Sequence, residues 1–193
     1  MKTPKLYIQY SWIYDDTLHD LCKKKLTSKM QKWMEKYASK ANKHWQQKYN
    51  NKVFKLMSQV SGLRWQRTEM DAYVARQIIP FSIPLTLHPV KNLDELAETI
   101  IHELCHNLIV QNSGKIQPLY KKLFREFKNE PFTTKIHLLV YAIHIPVIQK
   151  LFSKKKVKQF LEATKEYKCS KAYWRAVQIV QEKTPEYFLK MLK

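Results

Sequence analysis

The sequence predicts an α+β fold with its strands confined to the first half. Three observations carry this. Lys5 to Tyr14 alternates polar and apolar, which puts Leu6, Ile8, Tyr10, Trp12 and Tyr14 on one face of a strand. From Leu18 to Ala41 apolar residues recur every three to four positions, the spacing of an amphipathic helix. After Gly114, one of only two glycines, every segment reads as helix. A chain of 193 residues can bury a substantial core, so one domain is expected. Its residues 1–114 carry an α/β arrangement and residues 115–193 are helical.

Taken in order, the first strand gives way at Asp15-Asp16 to a long helical region that includes Leu21/Cys22, Leu26, Met30, Trp33/Met34 and Tyr37. It is too long for one globular helix, and Asn50-Asn51 is the expected break. A second helix over Lys52 to Ser61 should stop at Gly62. Arg64 to Thr68, Asp71 to Ile79 and Ser82 to His88 read as short strands, punctuated by Pro80 and Pro84. Proline confines a strand to an edge or bulge, so the last of the three is expected at the sheet edge. His88 reads as a loop residue. Downstream, Pro118 suits the first turn of a helix reaching about Lys128. Thr133 or Thr134 can cap a helix carrying His137, Tyr141 and His144, which Pro146 should kink or end. Ser153 is placed to cap Lys154 to Lys168, and Ser170 to cap Lys171 to Glu182. Thr184-Pro185 starts a last short helix.

Composition narrows the function. The chain is 45 % hydrophobic and 12 % aromatic, which marks it as globular rather than disordered. No apolar run approaches the ~20 residues of a membrane span. The longest, Leu138 to Ile148, contains His144 and Pro146. The start, Met1-Lys2-Thr3-Pro4, lacks the apolar core of a secretory signal. Cys22, Cys105 and Cys169 are odd in number and far apart, which points to thiols in a reducing cytoplasm. Cys105 is expected to pack in a helix core. The net charge of +19 would attract nucleic acid, anionic lipid or an acidic partner. Of the 35 basic residues 30 are Lys, and Lys lacks the planar fork that reads bases. Any nucleic-acid contact is therefore expected to be non-specific. No membrane partner is expected, and oligomeric state is not legible.

The chemistry gathers in Asn92 to Gly114. His102-Glu103-Leu104-Cys105-His106 is an H-E-x-x-H motif. Residues four apart stack on one helix face, so both imidazoles can reach one metal ion. Neutral imidazole suits Zn²⁺, and Glu103 is placed beside the metal to serve as general base without binding it. With 7 His and 11 Glu in the chain, chance alone gives such a motif in roughly 1–2 % of shuffled sequences. The context strengthens it. Asn92 can N-cap the helix, and Glu95 completes a capping-box pattern. Leu93, Leu96, Ala97, Ile100, Ile101, Leu104 and Leu108 form an apolar face. Gly114 is placed to stop the helix. The bland alternative is a buried helix with two hydrogen-bonded histidines.

The order of elements over about residues 5–114 resembles the upper subdomain of the zincin metallopeptidases. Strand, backing helix, further strands, proline-bearing edge strand and H-E-x-x-H helix follow one another in that family. The resemblance implies His102 and His106 as zinc ligands and Glu103 as general base and acid. It also implies an edge strand around Ser82 to His88 lying antiparallel to a bound peptide, with 115–193 as a lower subdomain. The C-terminal half is similar to small bacterial zinc peptidases with a T-x-x-H stretch, here Thr134 to His137. Segments of theirs resemble Tyr173 to Lys183. Ile109 and Asn112 stand where metzincins have glycine and a third histidine. No Asp follows Asp94, so the E-x-x-x-D of thermolysin-like enzymes is absent. No His lies between His106 and His137, unlike SprT-type repair proteins.

Catalytic zinc usually has three protein ligands plus water. Ligand-capable residues downstream are Glu126, Glu130, His137, His144, Glu162 and Glu166. His137 is favoured, because it sits two turns ahead of Pro146 and matches the T-x-x-H resemblance. His144 and Glu130 follow. Tyr141, one turn after His137, is a candidate oxyanion donor on the same resemblance. The expected function is a zinc-dependent peptidase, in which Glu103 deprotonates a metal-activated water that attacks a peptide carbonyl. Two rivals stand beside it. One is a silent zincin-like protein that binds metal or a partner. The other is a basic helical nucleic-acid-binding protein with an accidental motif.

Overall fold

The N-terminal alternation forms a strand, but a shorter one than its pattern suggests. In a computed structural model, which describes residues 3–20, 26–166 and 171–192, β1 runs Lys5–Gln9 with Leu6 and Ile8 buried. Ser11 then starts a helix. Its hydroxyl accepts from Tyr14 N–H and its carbonyl from Asp15 N–H, and α1 covers Trp12–Asp20. Trp12 is therefore an exposed helical residue, not an inward strand residue. A local cap has overridden the alternation.

The chain is α+β, with nine helices and one four-stranded mixed sheet among the described residues. It resolves into two compact units, residues 1–54 with 67–104 and residues 55–66 with 105–193. The division falls within the motif helix, at Leu104/Cys105.

In the first unit, α2 (Ser28–Lys48) is capped by Thr27, whose side chain accepts from Met30 N–H. It packs Met34, Ala38, Ala41 and Trp45 inward, and it contacts β1. Tyr49 separates it from α3 (Asn50–Ser61), close to the expected Asn50-Asn51 break. The sheet order is β1-β2-β4-β3, with β2 at Glu69–Val74, β3 at Phe81–Ser82 and β4 at Leu85–Leu87. The first three in that order run parallel, and β3 is antiparallel to β4. β1 is thus an edge, and side-chain amides cover it. Leu6 N–H donates to Asn50 Oδ1 and Ile8 N–H to Asn42 Oδ1, while Gln46 Nε2 donates to the Leu6 carbonyl. A buried edge needs such partners.

Three strand expectations need correction. Arg64 to Thr68 is not a strand. Within the second unit, Gln66 N–H goes to the Gln111 side chain and the Arg64 carbonyl to Asn112 Nδ2, so no ladder forms. β2 ends at Val74 instead of continuing to Ile79, because Asp15 captures the next free donor. Arg76 N–H and Nε both donate to the buried Asp15 carboxylate, at 2.8 and 2.7 Å, and Tyr10 Oη donates to it as well. The span Ser82 to His88 is two strands. β4 lies inside the sheet and β3, folded back across the turn that contains the cis Ile83–Pro84 peptide, is the edge.

The motif helix α4 covers Leu93–Gln111. Asn92 Oδ1 accepts from Asp94 N–H, the expected N-cap. The Asp94 carboxylate is itself held by Lys48 Nζ, Tyr49 Oη and His44 Nε2. Leu96, Ala97, Ile100, Ile101, Leu104, Cys105 and Leu108 are buried as their spacing predicts.

The second unit is helical. Gly62, with φ of 71°, ends α3 as expected. Gly114 does not end α4. The helix stops at Gln111 and α5 (Ser113–Glu126) takes Gly114 into its own first turn. Pro118 is correspondingly inside α5 and not at its start. α6 (Phe132–Leu151) is the centre of this unit and contacts α5, α7 (Lys154–Glu166), α8 (Lys171–Lys183) and α9 (Pro185–Lys190). It is buried almost all round, from Thr134 through Ile148. That packing carries the helix through Pro146, which neither ends it nor marks its limit. Neither Thr133 nor Thr134 caps it. Pro131 is the N-cap residue, and Thr134 Oγ1 donates to the Ala172 carbonyl. Ser153 caps α7 through Lys156 N–H. The cap expected at Ser170, the end at Lys168 and the residues Cys22 and Cys169 lie outside the described residues. No helix among the described residues is long and apolar enough to cross a membrane.

Candidate metal centre

One turn of α4 separates His102 from His106, and both are half-buried. Their third companion is His137, from the second turn of α6 and 4 % exposed. Each offers one ring nitrogen, and the three nitrogens lie within 4.8 Å of one another. Tetrahedral zinc with bonds of 2.0–2.1 Å sets its ligand atoms about 3.4 Å apart. The donor set, three imidazoles, is one that zinc takes.

His137 is oriented for this. Its Nδ1–H donates a hydrogen bond to the Thr133 carbonyl at 2.7 Å. That bond fixes the tautomer and leaves Nε2 as the atom to face a metal. The ring is further wedged edge-on against Tyr173, centroids 4.4 Å apart, and against His106 at 4.8 Å. Helix α6 is in turn tied down by Tyr120 Oη on the Ile136 carbonyl and by the Thr134 bond to α8.

Burial keeps the His106 and His137 imidazoles neutral. It lowers the pKa of His106 from 6.5 to about 3, and the nearby His137 and His144 push the same way. Burial also lowers His137 from 6.5 to about 4, against a smaller upward pull from the Thr133 carbonyl. A neutral imidazole with its other nitrogen engaged is the form that binds a metal.

Glu103 is buried beside His102, and Ser82 reaches it from β3. The Ser82 hydroxyl donates to Glu103 Oε2 at 2.7 Å. Nothing in the sequence singled out Ser82, because its partner is 21 positions away. Tyr173 was likewise placed only inside a similar segment, with no role of its own.

The remaining candidates fall elsewhere. Glu130 accepts from Arg175 Nε and Nη2 at 3.0 and 2.8 Å. Glu126 accepts from Tyr187 Oη, and Glu162 pairs with Lys158. The Glu166 side chain lies outside the described residues. His144 is buried on α6 with its ring 5.9 Å from that of Tyr141, and it is not one of the three clustered histidines. Tyr141 is buried too, its ring centroid 6.1 Å from that of His137. His88 is in a loop, half-buried, and burial lowers its pKa.

The chain matches no family model, no curated protein and no solved structure.

Proposed function

We propose that the chain is a zinc-dependent peptidase of zincin-like architecture, with His102, His106 and His137 holding the metal and Glu103 serving as general base. The observation that carries this reading is the clustering of three imidazoles, two of them held neutral by burial, on and beside the helix that carries the buried Glu103 carboxylate. A bound zinc ion supplies Lewis acidity, toward water and carbonyl alike. Glu103 takes a proton from the attacking water onto its carboxylate and passes it to the leaving amine nitrogen. Ser82 holds that carboxylate by Oε2, which limits its rotation while the proton is carried. Burial strengthens both transfers by excluding competing water. Tyr141 is the proposed donor to the developing oxyanion, from its place one turn beyond His137.

The test uses Glu103→Gln. The amide is nearly isosteric and does not bind the metal in this scheme. The variant should keep its zinc and lose hydrolysis across a peptide library. Wild-type turnover in the variant would remove Glu103 from the mechanism. A protein that holds zinc but cleaves nothing in either form would favour the silent metal-binding alternative, and no metal at all would favour the accidental motif.

A further inference from the structure

Helix α2 carries a stripe of positive charge that no part of the metal site uses. Lys29, Lys32, Lys36, Lys40 and Lys43 are all exposed and follow one another at steps of three or four. At about 100° per residue they fall within an arc of roughly 80°, and at 1.5 Å rise they span about 21 Å. The stripe points directly away from Met34, Ala38, Ala41 and Trp45, the buried face of the same helix. Among the described residues none of the five forms an ion pair. Glu35, the one acid on α2, is hydrogen-bonded to Gln31 and lies off the stripe. Like charges at these spacings repel and weaken the helix, a cost that a bound polyanion removes.

Beside the stripe stands Trp33. The helical spacing suggested a core residue, but the side chain is 54 % exposed. Its ring stacks on Tyr37, centroids 5.4 Å apart and planes 25° from parallel. Tyr37 is itself fixed at both ends of its hydroxyl, donating to the Val90 carbonyl at 3.1 Å and accepting from Val90 N–H at 2.9 Å. A flat ring is thus held in place at the border of a line of ammonium groups.

We infer that the outer face of α2 binds single-stranded nucleic acid without sequence preference, the lysines tracking phosphates and Trp33 stacking a base. The paired features decide the partner. A backbone-only contact would not use a backed aromatic ring, and a duplex keeps its bases stacked on each other. A lipid surface would call for the apolar face of the helix, and here that face is buried. Lysine gives charge without base reading, so the binding is indifferent to sequence.

The experiment measures binding of the full chain to a labelled oligodeoxythymidylate of about twelve nucleotides, within single-strand site sizes. Five neutralised phosphates give a slope of log affinity against log salt of about −3.5. Replacing Lys36 and Lys40 with Gln should bring the slope to about −2. Trp33→Ala should weaken binding at least about fivefold with the slope unchanged, and Trp33→Phe should retain most of it. Lys121→Gln with Lys122→Gln, on α5, should change neither. All these positions are exposed, so zinc content should stay at the wild-type level and separates this result from the metal reading. The inference is overturned if the oligonucleotide does not bind at low salt, or if the α2 variants bind as wild type. It is also overturned if the matching duplex or phosphatidylserine vesicles bind more tightly.

Discussion

The Ser82 hydroxyl and the Glu103 carboxylate are 2.7 Å apart, joining the edge strand β3 to the H-E-x-x-H helix. Ser82 touches neither a metal nor a substrate atom in the proposed scheme, so its effect runs through Glu103. Ser82→Ala should lower kcat about tenfold while zinc content and KM stay near wild type. Ser82→Thr, which keeps the hydroxyl, should recover most of the loss. Wild-type kcat in Ser82→Ala would mean that the bond does not matter to turnover.

His137 is clustered with the motif histidines, whereas Glu130 is engaged by Arg175 and His144 is outside the cluster. Titration of metal-free protein with zinc should show a loss of at least about tenfold in affinity for His137→Ala. His144→Ala and Glu130→Ala should lose much less. If His144→Ala is the variant that empties the site, the ligand assignment is wrong.

The lowered pKa values make metal-free protein sensitive to acid. His106 and His137 take up protons at about pH 3 and about 4 when folded, against 6.5 for the ordinary group. Below 6.5 the unfolded chain therefore binds protons that the folded chain refuses. Stability contributed by these groups is complete above that pH and declines as pH falls toward their folded values. The Tm of metal-free protein should drop between about pH 7 and about pH 4. In a His106→Gln/His137→Gln variant the drop should be smaller. Equal pH dependence in the two proteins would show that these histidines are not buried in the neutral form.

Much of this was legible from residue order, and what was not has particular causes. The α4 helix announced itself through Asn92, the apolar spacing and the motif, and all three persist in the structure. Its end did not, because Gly114 reads as a stop only when a left-handed residue is required, and here α5 begins first. Pro146 misled in the opposite direction, toward too short a helix. Helix α6 passes through it because packing on nearly every side outweighs one missing hydrogen bond. Trp12 and Trp33 look like core residues from spacing alone, yet Ser11 turns the first out of the strand and the second lies off the buried face of α2. The edge position of β3 and the Ser82 contact depend on a chain reversal at Ile83-Pro84 that alternation cannot reveal. His137 was reachable from sequence through chemistry and resemblance, but the Thr133 carbonyl and the Tyr173 ring that orient it required three dimensions.

In the proposed scheme His102, His106 and His137 together hold one zinc ion. Elemental analysis of protein purified without a histidine tag tests it most directly. About one zinc per wild-type chain is expected, and a ratio well below that for His137→Ala purified the same way. Wild-type protein that comes through metal-free, and takes up no zinc when it is added, would contradict it.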